Sequence, residues 1–156
     1  MEDQKNTYQT FEDLDAYKVS REFRKAMYQI AGRLPESEKF GLAPQVRRAA
    51  VSLTDNVAEG HGRFHYADQI KFILQARGSL EELLDELNVC QDENYLDGEE
   101  IKSLREQGWR VHKVLNGYIR FLRNRKSAGS TRVAEDDLEY LAAGSDAELR
   151  CNASSL

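Results

Sequence analysis

The sequence predicts an all-α protein, a single antiparallel up-down-up-down four-helix bundle, and three observations carry that expectation. Apolar residues recur at spacings of three and four along four long segments. The only two prolines, Pro35 and Pro44, lie close together, so most of the chain is free of helix breakers. Nowhere do Val, Ile and Thr alternate as a half-buried strand requires. A chain of 156 residues suffices for one core and is too short for two.

The first helix is expected from about Leu14 to Arg33, with Ala16, Val19, Phe23, Ala26, Met27, Ile30 and Leu34 in register and Gly32 and Pro35 closing it. After the loop PESEKFG, a second helix runs from about Leu42 to Glu59, ended by Gly60 and Gly62. A third extends from about Tyr66 to Asn94. Adding Phe72, Leu74 and Cys90 to its main stripe widens the apolar arc to roughly 200°, twice the ~100° that faces a single core. More of this helix should be covered than one bundle needs. Asp97 is a candidate N-cap for the fourth helix, in which Ile101, Leu104, Gly108, Val111, Leu115, Tyr118 and Leu122 step alternately by three and four. That heptad spacing is the seam of closely packed helices. Three short connections between long helices imply the up-down path, which brings the start of helices 1 and 3 and the end of helices 2 and 4 to one pole.

Flanking segments differ in character. Residues 1–12 are polar and acidic and are expected to be flexible. Residues 126–156 hold three bases, six acids and many small residues, and read as an acidic, mostly disordered tail in which Leu138, Tyr140 and Leu141 offer at most a short docking helix. The bundle proper is thus placed at residues 13–125. No apolar run is long enough to span a bilayer, and Cys90 and Cys151 do not form a disulfide framework, so a cytoplasmic protein is expected.

The net charge of −5 conceals a dipole. Residues 81–100 hold nine acids and no base, whereas residues 101–126 hold eight bases against Glu106 alone.

The stretch FGLAPQVRRAAVSLTDNVAEGHGR at 40–63, followed by FILQARGSLEELLDEL at 72–87, resembles the bacterial four-helix-bundle family first noticed as reading frames in intervening sequences of large-subunit ribosomal RNA genes. That family also contains the accessory variability protein of diversity-generating retroelements. The pieces FGL, QxRRAA, NxAEG and GSLxE stand in the family's order, over roughly residues 13–125. The resemblance implies a ring-shaped homopentamer and, for the retroelement members, binding of a reverse transcriptase and RNA through basic surface. Together with the wide arc of the third helix it makes Phe72, Ala76, Arg77 and Leu83 the expected contacts between copies. Two departures stand out: Thr54 occupies a position where the family commonly has proline, and Arg77 one where an apolar residue is common.

No sequence pattern of a catalytic or metal site occurs: GxSxG, GxxxxGK, HExxH and CxxC are all absent. His61 and His65 have metal-compatible spacing, yet Gly60 and Gly62 break the helix there and no third ligand adjoins them. His112 reads as a surface histidine. Without a Glu-x-x-His motif, the acids of 81–100 read as a solvated face rather than a di-iron site. Mid-helix Gly78, beside Ser79, is expected where neighbouring helices touch, because glycine there costs about 1 kcal/mol against alanine. Arg77 is open to three readings: its stem snorkelling to the surface, a carboxylate partner across an oligomer interface, or a place lining a channel.

Arg63, Lys71, Arg120, Arg123, Arg125 and Lys126 should gather at one pole, with His61 and His65 nearby. Such a surface suits phosphate backbones, although cations at a helix C-terminus also complement its dipole. The leading expectation is therefore a non-enzymatic, cofactor-free homo-oligomeric adaptor that binds RNA or DNA, or a reverse transcriptase–RNA complex. The alternative is a protein-interaction or structural oligomer, with a metal–carboxylate enzyme third.

Overall fold

The computed structural model describes residues 10–128; residues 1–9 of the segment expected to be flexible and residues 129–156 of the expected tail, including Leu138, Tyr140 and Leu141, lie outside the described residues, whereas residues 10–12 enter a capped 3-10 turn and residues 126 and 127 extend the last helix. Four long helices account for most of what is described: α1 (Asp15–Arg33), α2 (Leu42–His61), α3 (Tyr66–Asp92) and α4 (Gly98–Ser127). No strand occurs among the described residues, and none of these helices is long and apolar enough to cross a membrane.

Each boundary has a local cause. Thr10 and Asp13 cap one another across a 3-10 turn that precedes α1. The first turn of α2 is served from outside the helix, by Glu38 Oε2, which accepts from the Leu42 N–H at 2.7 Å. Expected to reach Asn94, α3 stops at Asp92 because Asn94 takes a left-handed backbone, φ 56°. The Tyr95 and Asn94 N–H groups then turn back onto the Cys90 and Gln91 carbonyls, which satisfies the end of the helix. Asp97 caps α4 by accepting from the Glu99 N–H at 3.2 Å.

Packing follows the apolar registers. Phe23, Met27 and Ile30 of α1, Val46, Leu53 and Val57 of α2, Ile73, Leu80 and Leu87 of α3, and Leu115 and Leu122 of α4 are all closed off from solvent. Polar bonds tie the helices pairwise. Arg24 of α1 donates to Thr54 of α2 at 2.9 Å, an interhelical bond. Ser52 and Ser79 meet at 2.8 Å between α2 and α3. Between α3 and α4, Arg77 donates to Asn116, Glu81 lies by His112, and Arg105 donates to both Asn88 and Gln91. Arg33, at the end of α1, pairs with Glu100 near the start of α4.

Within the long helices Gly108 and Gly60, and not Gly78, mark close approaches. A Cβ on Gly108 would stand 2.7 Å from a Leu84 methyl and 3.2 Å from the Phe23 ring. On Gly60 it would stand 3.0 Å from the Phe72 Cβ. Gly78 is instead exposed, with nothing within 4 Å of such a Cβ. Gly60 also does not end α2; it is buried inside the helix, and the C-cap is Gly62.

Candidate functional site

The connection from α2 to α3 is short and held rigidly. Gly62 caps α2 through its N–H, which reaches the Ala58 and Glu59 carbonyls. Gln69, itself buried, donates its side-chain amide to the Arg63 carbonyl at 2.7 Å, so the first turn of α3 pins the loop that precedes it. Held this way, the loop presents Phe64 with 54% of its surface exposed, its ring edge against the His65 imidazole at 5.1 Å between centroids.

The end of α4 comes to the start of α3. Ala67 and Ile70 from α3, with Arg123, Lys126 and Ser127 from α4, line one cleft of about 480 Å³. Its lining pairs an apolar face with two cations. Arg120, Arg123 and Lys126 recur every three residues along α4 and are all exposed, while exposed Lys71 lies one turn beyond Ala67 on α3.

Of the six cations expected together, Arg123 and Lys126 share the cleft directly. Arg63 is held elsewhere: its guanidinium lies 4.5 Å from the Phe72 ring centroid and pairs with Glu59, which offsets part of its charge. Arg125 is half-buried over the Phe121 ring at 5.4 Å. His61 ends α2 with its Nε2 buried and without a partner among the described residues, and burial holds its pKa below the ordinary histidine value.

The expected contacts between copies fare differently. Ala76 and Leu83 are wholly covered within the single chain and present no surface to a second one. α3 packs against both α2 and α4, and of the residues that widen its arc Cys90 is buried whereas Phe72 and Leu74 keep part of their surface open. Phe72 is half-buried beneath Arg63 and against Gly60. Arg77 is half-buried too, donating to Asn116 at 2.9 Å; Asn116 in turn meets His112 Nδ1 at 3.1 Å, and His112 Nε2 lies 3.3 Å from Glu81. His112 thus has a carboxylate neighbour that its position in a basic stretch hides.

The acids of α3 are not uniformly solvated. Glu81, Glu82 and Asp85 are exposed, whereas Glu86 is buried with its Oε2 lacking a hydrogen-bond partner among the described residues. Burial, then the nearby Glu82 and Asp85 charges, push its pKa up to about 7 against the opposing pull of Arg48. The register held the signal: residue 86 lies three after Leu83 and four before Cys90. Among the described residues, no group of three or more His, Cys, Asp or Glu side chains is placed to hold a metal ion.

The model of the 23S rRNA-intervening sequence protein family matches residues 12–117. A solved structure is also similar: a protein of unknown function from the S23 ribosomal protein family of Bacteroides thetaiotaomicron, 22% identical, with a TM-score of 0.63 over 67% of this chain and 95% of that one. At that identity the likeness speaks for the fold. No curated protein matches the chain.

Proposed function

Because the chain belongs to the 23S rRNA-intervening sequence protein family, we propose that it is a non-enzymatic, cytoplasmic adaptor that binds RNA through the pole where α3 begins and α4 ends. The observation that carries this reading is the shared cleft, in which Arg123 and Lys126 face the apolar Ala67 and Ile70, with Arg120 and Lys71 alongside. Arginine and lysine there can neutralise phosphates while the apolar side accepts sugar or base. Partners along α3 and α4 run in opposite order, residues 77, 81 and 88 meeting 116, 112 and 105, which supports the reading by bringing the end of α4 to the start of α3.

The working unit is the homopentamer that the family resemblance implies, and five repeated patches would act together on one strand. Neither Ala76 nor Leu83 belongs to its contacts. A reverse transcriptase–RNA complex is the partner if this member serves a retroelement. The test is an anisotropy titration of structured RNA and duplex DNA at two salt concentrations, for wild type and for Arg120, Arg123 and Arg125 changed together to Gln. The triple variant should keep its oligomeric mass and lose at least about tenfold in affinity, with a shallower salt dependence. Failure of wild type to bind either nucleic acid at low salt would remove the reading.

One observation favours a second reading, protein–protein interaction without nucleic acid. Phe40 is 91% exposed and Trp109 54% exposed, and a large aromatic left open to water is a common anchor for a protein partner.

A further inference from the structure

We infer that residues 135–141, EDDLEYL, compete with nucleic acid for the cleft between α3 and α4, their acids meeting Arg123 and Lys126 and their leucines meeting Ala67 and Ile70. The consequence for binding rests on the nucleic-acid reading above, and the inference adds the regulation of that same site.

The cleft is the starting point. Ala67, Ile70, Arg123, Lys126 and Ser127 line it, so two cations stand beside an apolar strip with no acid among them. Lys71 is exposed one turn beyond Ala67. Among the described residues, none of these three cations has an acidic partner. Such a surface gains by taking on negative charge and by having its apolar strip covered.

The chain carries both chemistries close by. Residues 129–156 hold six acids and two bases, a net charge of −4. Four of those acids, Glu135, Asp136, Asp137 and Glu139, cluster around Leu138 and Leu141. The leucines are three positions apart, so a single helical turn would set them on one side. Ser127 is itself part of the cleft wall, and Glu135 follows it by eight residues, a length of chain that spans at most about 29 Å. The way back to Arg123 is only about 6 Å along α4. Gly129 and Ser130, directly after the helix, are residue types suited to reversing the chain.

Exposed ion pairs are weak one at a time. Joined to the cleft by so short a linker, however, the segment has an effective concentration on the order of millimolar, so even a weak contact is substantially occupied. A strand that makes several phosphate contacts at once displaces it. The acids thus act as a reversible competitor that selects for ligands of high charge.

The experiment uses the full chain at low salt. A carbodiimide, which condenses a carboxyl with an amine, should link Lys71 or Lys126 to the acids of 135–139 in preference to Asp146 and Glu148, as read by mass spectrometry of the band at single-chain mass. Leu138→Ser combined with Leu141→Ser keeps every charge; it should reduce those links severalfold and bind structured RNA severalfold tighter than wild type. Glu135→Gln, Asp136→Asn, Asp137→Asn and Glu139→Gln together should also tighten RNA binding. Links that show no preference for 135–139, that run mainly at twice the chain mass, or that survive the leucine changes undiminished would overturn the inference while leaving the adaptor in place, as would unchanged RNA affinity in both variants. Links as expected, with no RNA bound by wild type or either variant, would overturn the adaptor and with it the competition, leaving only a docked segment.

Discussion

The phenol of Tyr95 donates to Glu38 Oε1 at 2.8 Å, joining the α3–α4 connection to the α1–α2 connection through a single carboxylate. The other oxygen of that carboxylate accepts from the first turn of α2, so one side chain closes two loops and caps a helix. The Leu42 N–H first, and the Tyr95 hydroxyl second, hold Glu38 below the usual carboxylate pKa.

Tyr95→Phe should therefore lower the urea midpoint at neutral pH. A carboxylate whose pKa is depressed in the folded state stabilises it above the ordinary carboxylate range, and that stabilisation is lost as pH falls through the folded value. The gap between Tyr95→Phe and wild type should accordingly narrow in acid. A gap independent of pH would show that the hydroxyl acts through packing instead.

The glycines of the long helices should respond with opposite signs. At open Gly78, alanine should raise stability by about 0.5–1 kcal/mol through helix propensity. At Gly60 the added methyl would press on the Phe72 Cβ and approach the Gln69 carbonyl, neither of which can swing aside, so Gly60→Ala should cost about 1–3 kcal/mol. Denaturant curves of the two variants decide it.

Leu80 and Leu115, both fully enclosed, anchor α3 and α4. Replacing either by alanine should cost about 2–5 kcal/mol through lost burial and the cavity left behind. A loss below about 1 kcal/mol in chemical unfolding would mean that the surrounding helices collapse to fill the space.

Glu86 gives the opposite pH dependence from Glu38. Its pKa rises from 4.5 to about 7 on folding, so the folded state retains a proton that the unfolded chain releases, and stability falls as pH climbs through that window. Relative to wild type, Glu86→Gln should gain about 1–3 kcal/mol between pH 4.5 and pH 8. Urea titrations at several pH values measure the difference, and a flat one would place Glu86 in contact with water.

Periodicity made the helices legible because a 3.6-residue stripe survives in the sequence whatever it packs against; the starts of α2 and α3 fall where the apolar registers begin. What periodicity cannot say is which neighbour covers a given arc. The breadth of α3 therefore suggested a second chain, although Ala76 and Leu83 are already closed off within this one. Gly78 and Gly108 look alike in sequence, and only the rotation of each helix about its axis decides that Gly108 faces Phe23 while Gly78 faces water. Arg77 finds its partner, Asn116, 39 positions away, a relationship no local pattern encodes.

The candidate site was legible as charge and incomplete as shape. Counting cations gathered Arg63, Lys71 and the end of α4, and the chain path brought α3 and α4 together there. The count did not reveal that Glu59 and Phe72 occupy Arg63, or that Phe64 keeps 54% of its surface exposed. The signal for Phe64 was present all the same: an aromatic between Arg63 and His65, in a short connection just after Gly62.

Cys90 sits enclosed on α3 near the turn into α4, and burial, with Glu86 and Glu38 nearby, pushes its thiol pKa up to about 11. A sulfur so shielded is a poor nucleophile while the helices stay together. With Cys151→Ser silencing the other thiol, modification of Cys90 by a thiol reagent becomes a stopwatch on the opening of α3: its rate under native conditions measures how often that helix parts from its neighbours, and nucleic acid that clasps α3 to α4 at the far end should slow the clock.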